Sequence, residues 1–130
     1  MESAPRYDVY NAHCPTRRVL DRIADKWASL LVILLAERPH RFGELKRRID
    51  GISQKMLTQT LRNLERDGLV NRQAFATVPV TVEYSLTPLG QSLVGPVSAI
   101  RAWAETHIEA VLAAQAEAER RDQRLADDGR

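Results

Sequence analysis

Apolar positions in the stretch Ser53–Gly68 recur with the 3.6-residue period of a helix. Leu57, Leu61 and Leu64 form one stripe, with Met56 and Thr60 beside it. The opposite face carries Lys55, Thr58, Gln59, Arg62 and Arg66, and no acid precedes Glu65. Ser53 can cap the start of this helix, and Gly68 can end it. One side can therefore dock on a core. The other offers cations and amides, the groups that meet base edges and phosphates in a DNA major groove.

The same period runs upstream. Cys14-Pro15-Thr16 opens a helix, because proline is well suited to a first turn. Val19, Leu20, Ile23 and Trp27 follow at helical spacing, and Asp25 marks the passage to the next helix. Trp27–Ala36 is apolar nearly all round, which predicts a buried central helix ended by Pro39. Arg41–Ile49 reads as a third helix, with Phe42, Leu45 and Ile49 inward and Arg41, Lys46, Arg47 and Arg48 outward. Asp50-Gly51-Ile52 is a tight turn, with Gly51 where positive φ is tolerated. Helix, short glycine turn and basic-faced helix together make a helix-turn-helix.

After Gly68 the period changes to two. Val70, Arg72 and Ala74 alternate with Asn71 and Gln73, and Val82, Tyr84 and Leu86 alternate with Glu83 and Ser85. Phe75–Thr81 reads as a hairpin loop. Two strands cannot stand alone, so the hairpin must lean on the helices. The expected fold is mainly α with a small β-hairpin wing, a winged helix-turn-helix.

Thr87-Pro88 starts a last helix with the apolar stripe Leu89, Leu93, Val97, Ile100, Ala104, His107/Ile108 and Val111. Pro96 is expected to kink or break it. Little chain remains to cover this stripe or Trp103. A second copy is the simplest cover, giving a homodimer through the N- and C-terminal helices. The dimerisation set is Val19, Leu20, Ile23, Val97, Ile100, Trp103, Ala104, Ile108 and Val111. The expected organisation is an arm over residues 1–13, one DNA-binding and dimerisation domain over 14–116, and a disordered tail over 117–130.

Composition narrows the chemistry. A chain of 130 residues makes one domain with a real core. Its longest apolar run, Leu30–Ala36, is too short to span a bilayer. No basic-then-apolar leader opens the sequence, which predicts a cytoplasmic protein. The single cysteine, Cys14, excludes an internal disulfide and a multi-cysteine zinc site. His13, His40 and His107 match no ligand spacing, so neither metal nor cofactor is expected. No nucleophile–base set or phosphate loop points to an enzyme. Net charge is only +2, but residues 38–62 hold seven Lys/Arg against two acids, whereas residues 105–130 hold seven acids against four arginines. A basic centre fits a nucleic-acid surface.

These motifs together resemble the HxlR-type winged-helix transcription regulators, relatives of the MarR group. The resemblance is carried by Cys14-Pro15, Lys26-Trp27, Arg41-Phe42-Gly43-Glu44-Leu45, Gly51-Ile52-Ser53-Gln54-Lys55-Met56-Leu57, Leu61-Arg62-Asn63-Leu64-Glu65, Asp67-Gly68-Leu69-Val70 and Val82-Glu83-Tyr84-Ser85-Leu86-Thr87-Pro88-Leu89-Gly90. It implies a homodimer on a pseudo-palindromic operator, a repressor in most members and an activator in some. Many members respond to electrophiles, oxidants or aldehydes through a cysteine placed like Cys14. Two positions depart from the pattern: Asp25 stands where glycine is usual before Lys26, and Thr81 stands where many members carry a cation.

On this reading Gln54, Lys55, Thr58, Gln59 and Arg62 read bases, with Ser53 beside them. Arg41, Lys46 and Arg47 hold phosphates, with Arg72 and Gln73 from the wing. A reactive small molecule meeting Cys14 is one effector. A non-covalent ligand, or a winged helix that docks protein instead of DNA, is the alternative. A helix N-terminus favours the thiolate form of a cysteine, and His13, Arg17 and Arg18 adjoin Cys14.

Overall fold

The computed structural model describes residues 7–129. Five helices and three strands follow in order: α1 (Pro15–Ala24), α2 (Lys26–Glu37), β1 (His40–Arg41), α3 (Phe42–Arg48), α4 (Gln54–Arg66), β2 (Val70–Phe75), β3 (Thr81–Leu86) and α5 (Pro88–Asp128). Contacts divide the chain into two units, one ending at Val97 and the other beginning at Ser98. No helix among the described residues is long and apolar enough to cross a membrane.

The first unit is built around α2. Ala28, Leu31, Leu34 and Leu35 from this helix meet Leu45 and Ile49 of α3, Ile52, and Leu57, Leu61 and Leu64 of α4. Trp27, Phe42, Tyr84, Leu86 and Leu93 close the edges. The helix starts are set by short polar side chains. Asp25 accepts from the Ala28 N–H at 3.1 Å, and Ser53 Oγ accepts from the Met56 N–H at 3.0 Å. Each satisfies a backbone donor that a helix start leaves open. Gly51 (φ 85°) turns the chain between α3 and α4, and Gly68 (φ 75°) ends α4. Both are left-handed conformations that glycine adopts without a Cβ penalty.

The wing is a three-stranded sheet. β2 and β3 form the expected antiparallel hairpin, with Val70 opposite Leu86 and Arg72 opposite Tyr84. β1 adds to the far side of β3, with His40 opposite Tyr84. This two-residue strand ties the hairpin to the α2–α3 connection, beside the core contacts that Val70, Tyr84 and Leu86 make with the helices. His40 is wholly buried, and its Nδ1 lies 2.7 Å from the Arg38 carbonyl oxygen.

Residues 1–6 of the expected arm lie outside the described residues. Residues 8–14 form successive turns, in which Asp8 and Asn11 side chains accept from the Tyr10 and His13 N–H groups. At the other end, α5 passes through Pro96 and reaches Asp128, beyond the boundary near Ala116 drawn from composition. In the second unit the helix is laced by Arg101–Glu105 and Arg120–Glu117 ion pairs at 2.9 and 2.7 Å.

Candidate nucleic-acid interface

The helix-turn-helix is α3, residues 49–53 and α4. Buried Ile49 and Ile52 pin the turn from below. Along α4, Leu57, Thr60, Leu61 and Leu64 point inward. Thr60 is tolerated there because its hydroxyl donates to the Met56 carbonyl at 2.7 Å. Gln54, Lys55, Gln59 and Arg62 are left exposed on the outer face, and Thr58 is half-buried beside them. Ser53 is committed through its oxygen to the cap. Its hydroxyl proton can still be donated outward.

Charge pairing separates the basic residues into two groups. Arg38 bonds Glu44 at 2.9 Å, and Arg48 approaches Glu37 at 3.5 Å. Among the described residues, Arg41, Lys46, Arg47, Lys55, Arg62 and Arg72 have no acid within ion-pair distance. These unneutralised cations are free to meet phosphate. Glu44 also accepts from the Arg41 N–H at 3.0 Å, which fixes the start of α3. That bond and the Arg38 guanidinium hold the Glu44 carboxyl below its usual range.

The outer face of α4 has two flanks. On the wing side, Thr58, Leu61, Arg62 and Glu65 share an opening of about 410 Å³ with Arg72 and Tyr84. On the α1 side, Met56, Gln59 and Asn63 share one of about 420 Å³ with Arg18, Asp21 and Arg22. Arg41 and Arg47 line a third opening with Arg38, Glu44 and Glu83. The structure thus brings Arg62 and Arg72 together. Gln73 lies opposite Glu83, one residue out of phase with Arg72, so it faces away from that opening. The wing tip holds no cation. Val78 and Val80 are exposed there, and Thr77 Oγ1 braces the tip by donating to the Pro79 carbonyl at 2.8 Å.

Cys14 is the residue before α1, with 8 % of its surface exposed. Its Sγ lies 2.9 Å from Thr16 Oγ1. The Thr16 hydroxyl, aided by backbone N–H groups, holds the thiol below its ordinary pKa, against the opposing effect of desolvation. Arg17 is turned back to the Tyr10 carbonyl.

Val19 and Leu20 are exposed on α1, which buries no residue of its own, and Ile23 is half-buried. In the second unit Ile100, Trp103, Ala104 and Ile108 are exposed and Val111 is half-buried. Trp103, 58 % exposed, stacks on His107 at 4.8 Å between ring centres. Val97 differs from the rest of the expected dimerisation set. It is 3 % exposed, hence already covered within the chain and not offered to a partner.

Sequence reasoning missed a connection across the α1 flank. Arg22 Nη1 lies 3.2 Å from Asp67 Oδ1 and 3.4 Å from the Asn63 carbonyl oxygen. Asn63 Oδ1 in turn accepts from Gln59 Nε2 at 3.1 Å. The last bond has a sequence signal, an amide pair four residues apart on one helix. The first two join residues more than forty positions apart, and no local pattern announces them.

Known proteins give this geometry its context. The family described as HxlR-like helix-turn-helix matches residues 22–112. The HTH-type transcriptional regulator YtfH of Escherichia coli K12 is 44% identical over 110 residues, covering 85% of this chain and 87% of its own. A solved structure of the regulator ytfH from Salmonella typhimurium is 40% identical, with a TM-score of 0.80 over 85% of this chain and 98% of that one. The redox regulator HypR in its reduced form is 37% identical, with a TM-score of 0.70 over 76% of this chain and 98% of that one. These are regulators with a DNA-binding fold, not enzymes. With its helix-turn-helix, its wing and a match over most of its length, the chain belongs to the HxlR-like helix-turn-helix family of transcriptional regulators.

Proposed function

We propose that the protein is a homodimeric repressor that binds a pseudo-palindromic operator and lets go when Cys14 is modified. The observation that carries the DNA reading is the set of six unneutralised cations around the exposed face of α4. Phosphate contacts from Arg41, Lys46, Arg47 and Arg72 orient the chain, and Gln54, Lys55, Thr58, Gln59 and Arg62 choose the sequence. With its tip uncharged, the wing contributes through Arg72.

A dimer is needed to read two half-sites about 34 Å apart. Exposed Val19 and Leu20 on α1 and, separately, exposed Ile100, Trp103 and Ile108 in the second unit support this reading. Light scattering on the purified protein at micromolar concentration is expected to give twice the chain mass. A monomer there would remove the dimer from the proposal.

For sensing, the depressed thiol pKa favours the thiolate, which is the reactive form. The redox-regulator relative supports this reading. Addition of the thiolate to an aldehyde forms one S–C bond as the carbonyl π bond opens, and the carbonyl oxygen takes up a proton from water. With a single cysteine per chain, a disulfide could form only with Cys14 of the partner subunit or with a small thiol, and two electrons then pass to an added oxidant. The test is an anisotropy titration against DNA from upstream of the protein's own gene, before and after treatment with diamide or an aldehyde. Wild type is expected to bind tightly when reduced and to lose at least tenfold in affinity on treatment, while Cys14→Ser keeps its affinity. A Cys14→Ser protein that still releases DNA on treatment rules the cysteine out. Binding that does not weaken as salt rises would point instead to a protein-docking winged helix.

A further inference from the structure

Gln59 is exposed on the outer face of α4, yet it is not free. One of its Nε2 hydrogens is donated to Asn63 Oδ1. Glutamine recognises adenine by accepting from N6 with Oε1 and donating to N7 with Nε2. The bond to Asn63 uses only one of the two amide hydrogens. Adenine requires Oε1 and the Nε2 hydrogen cis to it, and this pair stays available when the trans hydrogen makes the Asn63 bond. An unanchored glutamine would lose its rotamer freedom at the moment of binding, and here part of that loss is already met in the folded protein.

Asn63 is itself tied from outside the helix. The Arg22 guanidinium, on the last turn of α1, reaches both the Asn63 backbone carbonyl and the Asp67 carboxylate at the end of α4. A chain of contacts therefore runs from α1, whose first residue follows Cys14, through Arg22 to the Asn63 backbone and from the Asn63 side chain to Gln59. All four lie in the first unit of the chain.

We propose that Asn63 and Arg22 are positioning residues that set the Gln59 amide for one base pair of each half-site, so that the placement of α1 tunes sequence preference. This rests on the DNA-reading role of α4 proposed above. Neither residue touches DNA in this scheme. Asn63 orients the reader, and Arg22 holds the stretch of α4 from which it projects.

The experiment is selection from a random duplex library with the full-length reduced protein, followed by affinities on the selected sites. Gln59→Ala is expected to relax one position in each half-site. Asn63→Ala should relax the same position and no other, with a loss of about threefold to tenfold on the best site, the size of one net hydrogen bond. Asn63→Asp, which keeps an acceptor for Gln59, should restore the preference. Arg22→Met should reproduce the relaxation more weakly, and Arg22→Lys should restore it, since one cationic nitrogen makes both contacts. Melting temperatures close to wild type separate this from unfolding. Should the alanine variant at 63 weaken all sequences alike, or leave the preference intact, the relay is wrong. A Gln59→Ala profile identical to wild type would also overturn it. Failure of wild type to select any sequence would overturn the DNA-reading proposal itself and this inference with it.

Discussion

Gly90→Ala is expected to lower the melting temperature by about 10 °C, equivalent to about 2–3 kcal/mol of overpacking in a chain of this size. A Cβ at this position would collide with the Leu69 carbonyl oxygen and lie 3.1 Å from Leu86 Cδ2. The obstacle is backbone, which cannot swing aside as a long side chain can. The first turn of α5 sits on this carbonyl because Thr87 holds it there. The Thr87 N–H donates to Leu69 O at 3.0 Å, its hydroxyl donates to Gly68 O at 2.6 Å, and the same hydroxyl oxygen accepts from the Gly90 N–H. To admit a methyl group, α5 must lift and these bonds must stretch. The Leu69 N–H closes the end of α4 by bonding the Leu64 carbonyl, so the disturbance also reaches the recognition helix. Gly43→Ala is the control. There the new methyl meets only the far end of Arg47, at 3.3 Å, within helix α3. Removing a helical glycine is expected to add about 0.5–1 kcal/mol. Thermal melts of the two variants decide the matter, and equal melting temperatures would mean that the close approach at Gly90 is not limiting.

What the sequence made legible follows from how local each signal is. The recognition helix was readable because its cap, its period and its terminating glycine all lie within sixteen residues. The hairpin was readable from alternation. β1 was not, since two residues after a proline carry no period and only the pairing with β3 makes them a strand. The helix through Pro96 contradicts the simple rule that proline breaks a helix, and the residue before it supplies a reason. A proline ring clashes with the preceding Cβ in the helical region, and Gly95 has none. The end of α5 misleads for a different cause. Ala, Glu, Arg and Gln are favoured both in strong helices and in disordered tails, so composition cannot separate the two.

The same distinction governs the candidate site. Which residues of α4 face outward follows from the 3.6 period alone. Which cations remain available does not, because Arg38 and Arg48 look like Arg41 and Arg47 in sequence and differ only in having Glu44 and Glu37 within reach. Val97 shows the converse limit. It falls on the apolar stripe with Ile100 and Ala104, and a stripe alone cannot tell a residue covered by its own chain from one awaiting a partner.

Arg62→Ala and Lys46→Ala are expected to weaken DNA binding in different ways. Arg62 is exposed, unpaired, and lines the same opening as Thr58 on its own helix and Arg72 on the wing. A guanidinium there can meet guanine O6 and N7 with two hydrogens at once. Its loss should cost about 1–3 kcal/mol, roughly fivefold to a hundredfold in affinity, and should relax preference at one position of each half-site. Lys46 sits on α3, outside the reading helix, where a flexible ammonium can neutralise a phosphate but cannot distinguish bases. Its loss should weaken every sequence by the same factor and flatten the salt dependence by about one unit of slope per contact removed. Neither change should alter the melting temperature much, since both side chains are exposed and make no ion pair. Titrations of both variants against a panel of single-base operator changes, at several salt concentrations, separate the two roles. If Arg62→Ala loses the same factor on every operator in the panel, then it contacts phosphate, and base reading must fall to Gln54, Lys55, Thr58 and Gln59.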